Sequence, residues 1–421
     1  MNIVISRRNK RMKKLLFVLT QIPYPPIDGG KQAMYYRIKM LSEAFDIYVF
    51  MINIESSDIS ERELKEAFYF AKEIFVCDRQ NTSIEKASLS RKILEGFKWL
   101  FSGSPRGAQI YQSPMYKRRL QEIVDTRKID VIDYELPFTT VMGNVDIFRQ
   151  RHIRQVCVFH NIEHKIYADI MRSRGVPKVI SNIDVNRIHR IERKVISEMD
   201  AVAAISSEDA AYFSSNTDKI MQYIPSLLTP REPIWDPDEQ EDKYIIFPGA
   251  LSFDPNYNGI KWFYASVFQQ FLSKYPQYHD LKLLITGKTP EYVKQVVSKY
   301  SNVHLTGFVS DDELHRLYKH CRFAIVPIID GSGVKMKILD LMSYGVPVIA
   351  TKFAALGIGA EKVIREVSTG DEFCHAMVEL LEDKQLRQKM SRAEHAFYED
   401  HYASDAAINK WVNFYNERIV N

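Results

Sequence analysis

The chain has 421 residues, 46% of them hydrophobic and 26% charged, with a formal net charge of +4. It is too long for one ordinary core, so two domains are expected, and its composition is that of a globular protein. So small a net charge argues against a general polyanion binder, and nucleic acid is not an expected partner.

Residues 7–14 read R-R-N-K-R-M-K-K, and residues 15–20 are apolar. The charge pattern is that of a signal peptide's first region, but the apolar run is too short to continue as one. Residues 1–12 are therefore expected to be a disordered basic extension, with Met12 an alternative start, and residues 15–20 a first buried strand. Further short apolar runs at 46–51, 73–77, 131–134, 156–160, 201–205 and 220–223 alternate with amphipathic stretches at 32–44, 61–72 and 185–198. Strands alternating with helices predict a parallel sheet covered on both faces. Residues 226–243, rich in proline and charge, break the rhythm and read as a linker. The alternation restarts with strands at 244–247, 282–286, 303–306, 323–327, 346–351 and 363–367, and with helices at 261–274 and 290–299. Residues 371–418 are a mostly helical tail carrying Trp411, Phe414 and Tyr415. The expected layout is an N-terminal Rossmann-like domain over 13–225, a linker over 226–243, a C-terminal Rossmann-like domain over 244–400, and a final helix over 401–421 on the N-terminal domain. In such sheets ligands bind beyond the carboxyl ends of the strands, so two facing domains would share a deep cleft.

The most informative stretch is 324–351, A-I-V-P-I-I-D-G-S-G-V-K-M-K-I-L-D-L-M-S-Y-G-V-P-V-I-A-T. A strand enters a Gly-Ser-Gly loop, and a short helix with Lys335, Lys337 and Asp340 leaves it. Backbone amides of Ser332, Gly333 and Val334 at a helix start, with two lysines nearby, make an anion site. Lys337 and Asp340 share a helix face. One acid among bases suits a ligand with phosphates at one end and hydroxyls at the other, as in a nucleotide. After the first strand, T-Q-I-P-Y-P-P-I-D-G-G-K places Gly29 and Gly30 before a helix, where glycine admits backbone positions closed to other residues and lets a ligand come close. His160 ends a strand, where an imidazole can hydrogen-bond developing charge or move a proton, and Asn161 and Glu163 follow it. Glu135 ends another strand and reads equally as an acceptor contact or a loop cap. Residues 84–106 mix aromatics with Lys86, Arg91, Lys92, Lys98 and Arg106. That stretch suits either an anionic membrane surface or a core-facing helix with solvated lysines. Cys77, Cys157, Cys321 and Cys374 form no C-x-x-C pair, so neither a disulfide framework nor a cysteine metal cluster is expected. No apolar run reaches the roughly 18 residues that cross a bilayer.

Together, P-Y-P-P-I-D-G-G (23–30), A-I-S-S-E-D-A (204–210), P-G-A-L-S-F-D-P-N-Y-N-G-I-K-W-F (248–263) and residues 307–314 with 327–351 resemble the GT-B type glycosyltransferases, most of all the retaining family four in its Gly-Ser-Gly variant. The resemblance implies transfer of a sugar from a UDP- or GDP-linked donor to an acceptor hydroxyl with retention, on a lipid-linked or saccharide acceptor in surface polysaccharide or glycolipid assembly. It implies a cytoplasmic enzyme, peripheral on the inner face of the membrane, with no cofactor or metal beyond the nucleotide sugar. It places Gly29, Gly30, Ser332, Gly333, Val334, Lys335 and Lys337 at the donor phosphates, Asp340 at the ribose, and Gly307, Phe308 and Val309 at the nucleobase. His160 would be the active-site histidine, with Glu135, Asn161 and Glu163 toward the acceptor. Two departures stand out. Ser332 replaces the first glutamate of the family's paired-glutamate motif, and Ala250 and Pro255–Asn256 stand where an arginine and a lysine are usual. A nucleotide-sugar epimerase and a non-catalytic binding protein of the same fold are the alternatives.

Overall fold

The computed structural model describes residues 11–26, 28–54, 59–79, 99–238, 244–331 and 333–417. Two compact units divide the chain. Met1–Ile205, Asp209–Leu228 and Ile408–Asn421 form the first, and Ser206–Glu208 with Thr229–Ala407 form the second. The expected basic extension at the N-terminus and most of the basic stretch 84–106 lie outside the described residues.

The first unit is built on β1 (Lys14–Val18), β2 (Asp46–Asn53), β3 (Glu73–Asp78), β4 (Val131–Glu135), β5 (Arg154–Phe159), β6 (Ala201–Ala204) and β7 (Gln222–Tyr223). They form one sheet in the order β3-β2-β1-β4-β5-β6-β7, every pair parallel. Leu15, Leu16, Phe17 and Val18 are all fully buried. A strand apolar on both sides is what a parallel sheet covered on both faces requires. Helix α1 (Gly29–Leu41) follows β1, and the Asp28 carboxylate caps it by accepting from the Lys31 amide at 2.9 Å. Helix α2 (Pro114–Arg127) leads into β4. Ser113 caps its start, Pro114 is its first residue, and Lys128 in a left-handed conformation closes it. Helix α3 (Lys178–Glu198) leads toward β6. The helix expected over 61–72 stops at Ala67. There Phe68 leaves helical geometry and inserts into an edge-to-face aromatic group with Tyr35 and Phe70.

The second unit holds β8 (Tyr244–Pro248), β9 (Lys282–Thr286), β10 (Val303–Gly307), β11 (Ala324–Val326), β12 (Val348–Thr351) and β13 (Arg365–Val367). Their order, β10-β9-β8-β11-β12-β13, is again wholly parallel and is that of a Rossmann sheet, reversing direction between β8 and β11. All thirteen strands expected from the sequence are present. Helix α4 (Asp254–Phe263) starts earlier than the expected 261 and runs through a π-helical turn, Tyr264–Phe268, into a further helical segment. Helix α5 (Met336–Ser343) follows β11. Gly345, at a φ of 70°, ends it, and a side chain there would also meet Ser391 and Pro233.

Helix α6 (Asp405–Asn416) ends the described chain, and from Ile408 onward it belongs to the first unit. Trp411 and Tyr415 are fully buried there. The Trp411 indole donates to the Pro225 carbonyl at 2.8 Å, and its ring lies 4.4 Å from the Arg37 guanidinium. Replacing Trp411 with alanine removes a large buried ring and a cation–π partner. The expected cost is about 3–5 kcal/mol of first-unit stability, read as an earlier first transition when urea unfolding is followed by circular dichroism.

Candidate functional site

In the second unit the sheet reverses direction between β8 and β11, and the loops leaving those two strands bring together the residues of the anion site. Gly249 follows β8, with its amide held by the Thr286 carbonyl at 3.2 Å. A side chain at 249 would come within 2.6 Å of the Lys337 ammonium and 2.9 Å of the Asn256 amide nitrogen, so only glycine leaves both in place. The Lys337 ammonium donates to Asn256 Oδ1 at 2.6 Å and sits 4.3 Å from the Phe247 ring. Asn256 is in turn held by the Ala250 carbonyl at 2.8 Å. Asn256 here fixes a cation supplied by α5. Burial, and then repulsion from Lys335, push the Lys337 amine down to about 7.

The loop after β11 is stitched to the same place. Asn258 donates to Asp330 Oδ2 at 2.8 Å, and Gly259 brings α4 against the Pro327 backbone so closely that a Cβ would lie 2.6 Å from its carbonyl oxygen. Gly331 and Gly333 both take positive φ, at 98° and 71°. Ser332 lies outside the described residues. The regular helix begins at Met336 and not at Lys335. The Lys335 backbone is non-helical, and its ammonium curls back to the Gly333 carbonyl at 2.8 Å and over the Phe353 ring at 5.3 Å. The two lysines therefore differ. Lys337 is held by a side chain of α4, and Lys335 closes its own turn.

Asp340, assigned to a ribose by resemblance, has both carboxylate oxygens engaged within the unit. Arg231 donates to Oδ1 at 2.6 Å, and the Tyr318 hydroxyl donates to Oδ2 at 3.0 Å. Arg231 also lies over the Tyr344 ring at 4.6 Å. Asp340 thereby ties the Arg231 segment to α5. At the end of β10, Gly307 has a φ of 74° and accepts from the Gly287 amide at 2.7 Å. Phe308 is 81% exposed beside it, a free aromatic face, and Val309 is half-buried.

The first unit brings together a different set. His160 follows β5 and is buried, and its Nε2 contacts Glu135 at the end of the neighbouring β4. The other Glu135 oxygen is bonded to Arg37, whose guanidinium also reaches Asp133 Oδ2 at 3.1 Å. Tyr415 donates to the same Asp133 oxygen at 2.5 Å. Burial raises Glu135, but the charges of Arg37 and His160 outweigh it and hold that carboxyl below its ordinary range. For Asp133 burial wins, and the carboxyl is pushed up to about 7. Glu135 is fully buried, with one oxygen on Arg37 and the other on His160. Asn161 pairs with Glu163, whose carboxyl burial and then Glu192 push up to about 7. Gly29 and Gly30 are the first two residues of α1, and neither has a positive φ, so the special backbone freedom expected of them is not used. The Asp28 carboxylate already caps that helix start and opposes an anion there.

Arg37, Asp133 and Tyr415 went unnoticed as site residues in the sequence. Arg37 sits in an ordinary amphipathic pattern, and Tyr415 is 282 residues from Asp133. The one signal was the run of aromatics in the tail.

The family model for glycosyl transferases group 1 matches residues 242–383, most of the second unit. A 44.6 kDa protein of the cps region of Klebsiella pneumoniae is 23% identical over 376 residues, 87% of this chain and 89% of that protein. The chitobiosyldiphosphodolichol beta-mannosyltransferase of Kluyveromyces lactis is 28% identical over 187 residues, 41% of this chain and 39% of that enzyme. Among solved structures, Anabaena HepE in complex with UDP and glucose superposes with a TM-score of 0.63 at 12% identity, covering 95% of this chain and 98% of that one. Sucrose-phosphate synthase of Thermosynechococcus elongatus gives 0.68 at 12% identity, covering 96% and 98%. At such identities these structures speak for the fold, which is GT-B, with a group 1 glycosyl transferase segment in its second unit.

Lys337 makes stability depend on pH in a defined direction. Its amine sits at about 7 in the folded chain against an ordinary 10.5. Between those values the unfolded chain binds a proton that the folded chain does not, so this site's contribution to stability rises with pH across the window. Lys337→Met should therefore be more stable than the parent. The gain should be largest at pH 7 and below and shrink toward pH 10, as measured by thermal midpoints of both proteins across that range.

Proposed function

We propose that this chain moves a sugar from a nucleoside-diphosphate donor, UDP- or GDP-linked, to an acceptor hydroxyl with retention of anomeric configuration, in the assembly of a surface polysaccharide or glycolipid. One observation carries the reading: the desolvated Lys337 ammonium, seated on Asn256 beside the Gly333–Lys335 loop at the reversal point of a sheet matched to group 1 glycosyl transferases. The UDP and glucose bound by HepE and the cps-region relative support the donor and the setting.

In this reading the second unit holds the donor. Departure of the diphosphate is the difficult step, because negative charge grows on the leaving oxygen. Lys337 and the amides of Gly333 and Val334 stabilise that charge in a site where water competes poorly. Phe308 offers a face for the nucleobase. His160 stabilises or positions the transferred sugar, and the first unit receives a lipid-linked or saccharide acceptor. Near the basic stretch 84–106, Phe101 is 82% exposed and Leu100 is half-exposed. Arg187 holds the Leu100 and Trp99 carbonyls at 2.6 and 2.9 Å. An exposed apolar tip suits peripheral contact with a membrane, and the basic composition of the sequence 84–106 suits an anionic surface. Among the described residues, no helix is long and apolar enough to cross a membrane.

Lys337→Ala should weaken UDP binding by roughly 10- to 100-fold. In the parent, UDP affinity should fall as pH rises above 7, with proton uptake visible in calorimetry across buffers. In the variant both effects should vanish, and unchanged UDP binding by the variant would remove Lys337 from the donor site. Nucleotide release from labelled UDP- or GDP-sugars should require an acceptor extract; conversion of the donor sugar without acceptor would instead indicate an epimerase. Leu100→Ser with Phe101→Ser should reduce sedimentation with vesicles rich in anionic lipid, and equal sedimentation would remove the membrane contact.

A further inference from the structure

Four ionisable groups and a tyrosine hydroxyl are enclosed in the first unit, far more than a parallel-sheet core ordinarily holds. Arg37, Asp133 and Glu135 are essentially without solvent contact, and His160 and Tyr415 close the two ends. The connections run in one line. Tyr415 donates to Asp133 Oδ2, Arg37 bridges Asp133 and Glu135, and Glu135 meets His160 Nε2. The arrangement stabilises poorly by itself. Arg37 Nε and Nη1 and Asp133 Oδ1 are buried without a hydrogen-bond partner among the described residues. An apolar core of equal volume would be the cheaper solution. Buried polar clusters left partly unsatisfied mark places where something other than stability is being arranged.

What the line arranges is the imidazole. With Nε2 committed to Glu135, only Nδ1 remains for a ligand, and it has no hydrogen-bond partner among the described residues. A carboxylate on one ring nitrogen selects the tautomer. Arg37 keeps Glu135 ionised, and Tyr415 and Asp133 hold Arg37 in register from the other side. The C-terminal helix is thus part of the histidine's setting, although the chain reaches it last.

We propose that Glu135 and Tyr415 are positioning residues for His160, Glu135 directly and Tyr415 through Asp133 and Arg37, so that Nδ1 is the nitrogen presented to the reacting sugar. The proposal rests on the glycosyl-transfer reading for its consequence, but the ring's state can be measured without it.

The test uses the full chain with histidine labelled in nitrogen-15, the His160 ring being assigned by its loss in His160→Gln. In the parent, long-range proton–nitrogen spectra should show Nε2 protonated. Glu135→Gln should shift both ring nitrogens, and Tyr415→Phe, which alters no side chain touching the ring, should shift them in the same direction by less. An unchanged ring in Glu135→Gln overturns the proposal; should that variant fail to fold, an unchanged ring in Tyr415→Phe does the same. With a donor and acceptor in hand, Glu135→Gln should lower kcat on the order of 100-fold at little change in donor KM. Tyr415→Phe should lower kcat by roughly 10-fold. Shifted rings with kcat unchanged in both variants and in His160→Gln would overturn the role in the reaction and, with it, the assignment of His160, while leaving glycosyl transfer intact. Lost turnover with unshifted rings would overturn the positioning alone.

Discussion

A parallel sheet covered by helices on both faces has only its strand ends free. Leu15–Val18 in the first unit and Ile245–Phe247 in the second are closed to solvent along their whole length, so neither sheet can present chemistry from its faces. Several of the candidate site's residues lie at or just past carboxyl strand ends: Glu135 is the last residue of β4, His160 follows β5, Gly249 follows β8, Phe308 follows β10, and the Gly331–Lys335 loop follows β11. The reversal of strand order then selects one point along that edge, where loops leave in opposite directions and a ligand has room.

The two units use charge burial in opposite ways. In the second, one lysine is placed against an aromatic ring and an amide, with no carboxylate bonded to it among the described residues, so burial lowers its proton affinity. That suits a site completed by an incoming anion. In the first, two carboxylates surround one arginine, and the competition is settled within the cluster. Glu135 keeps its charge because Arg37 and His160 are both close, and Asp133 loses its claim because burial outweighs the one shared guanidinium. Group by group, Coulomb attraction and desolvation are compared at nearly equal burial, and the number of close partners decides.

Asp340 and Asn256 are both engaged within the second unit. The two carboxylate oxygens of Asp340 are met by Arg231 and Tyr318. Arg231 comes from the stretch 226–243, expected from its prolines and charges to be a linker, and the pair anchors it to α5. Asn256, a neutral residue, holds the Lys337 ammonium from α5.

The sequence alone located the strands: those closed on both faces, such as β1, β8 and β12, are written as apolar runs, while the partly exposed β3, β7, β10 and β13 were legible from shorter runs alternating with helices. It also determined the Gly-Ser-Gly loop and its lysines, because glycine at positive φ and charge at a helix start are local requirements. Helix ends were less legible, since Phe68 ended one helix at an aromatic cluster that includes Tyr35, far away along the chain. The partners of His160, Lys337 and Asp340 were decided only by the tertiary structure. Arg37 with Glu135, Tyr415 with Asp133, Asn256 with Lys337 and Arg231 with Asp340 are separated by 98, 282, 81 and 109 positions. No local pattern encodes such pairs, because the free energy of a buried charge depends on which groups the completed fold brings within a few ångströms of it.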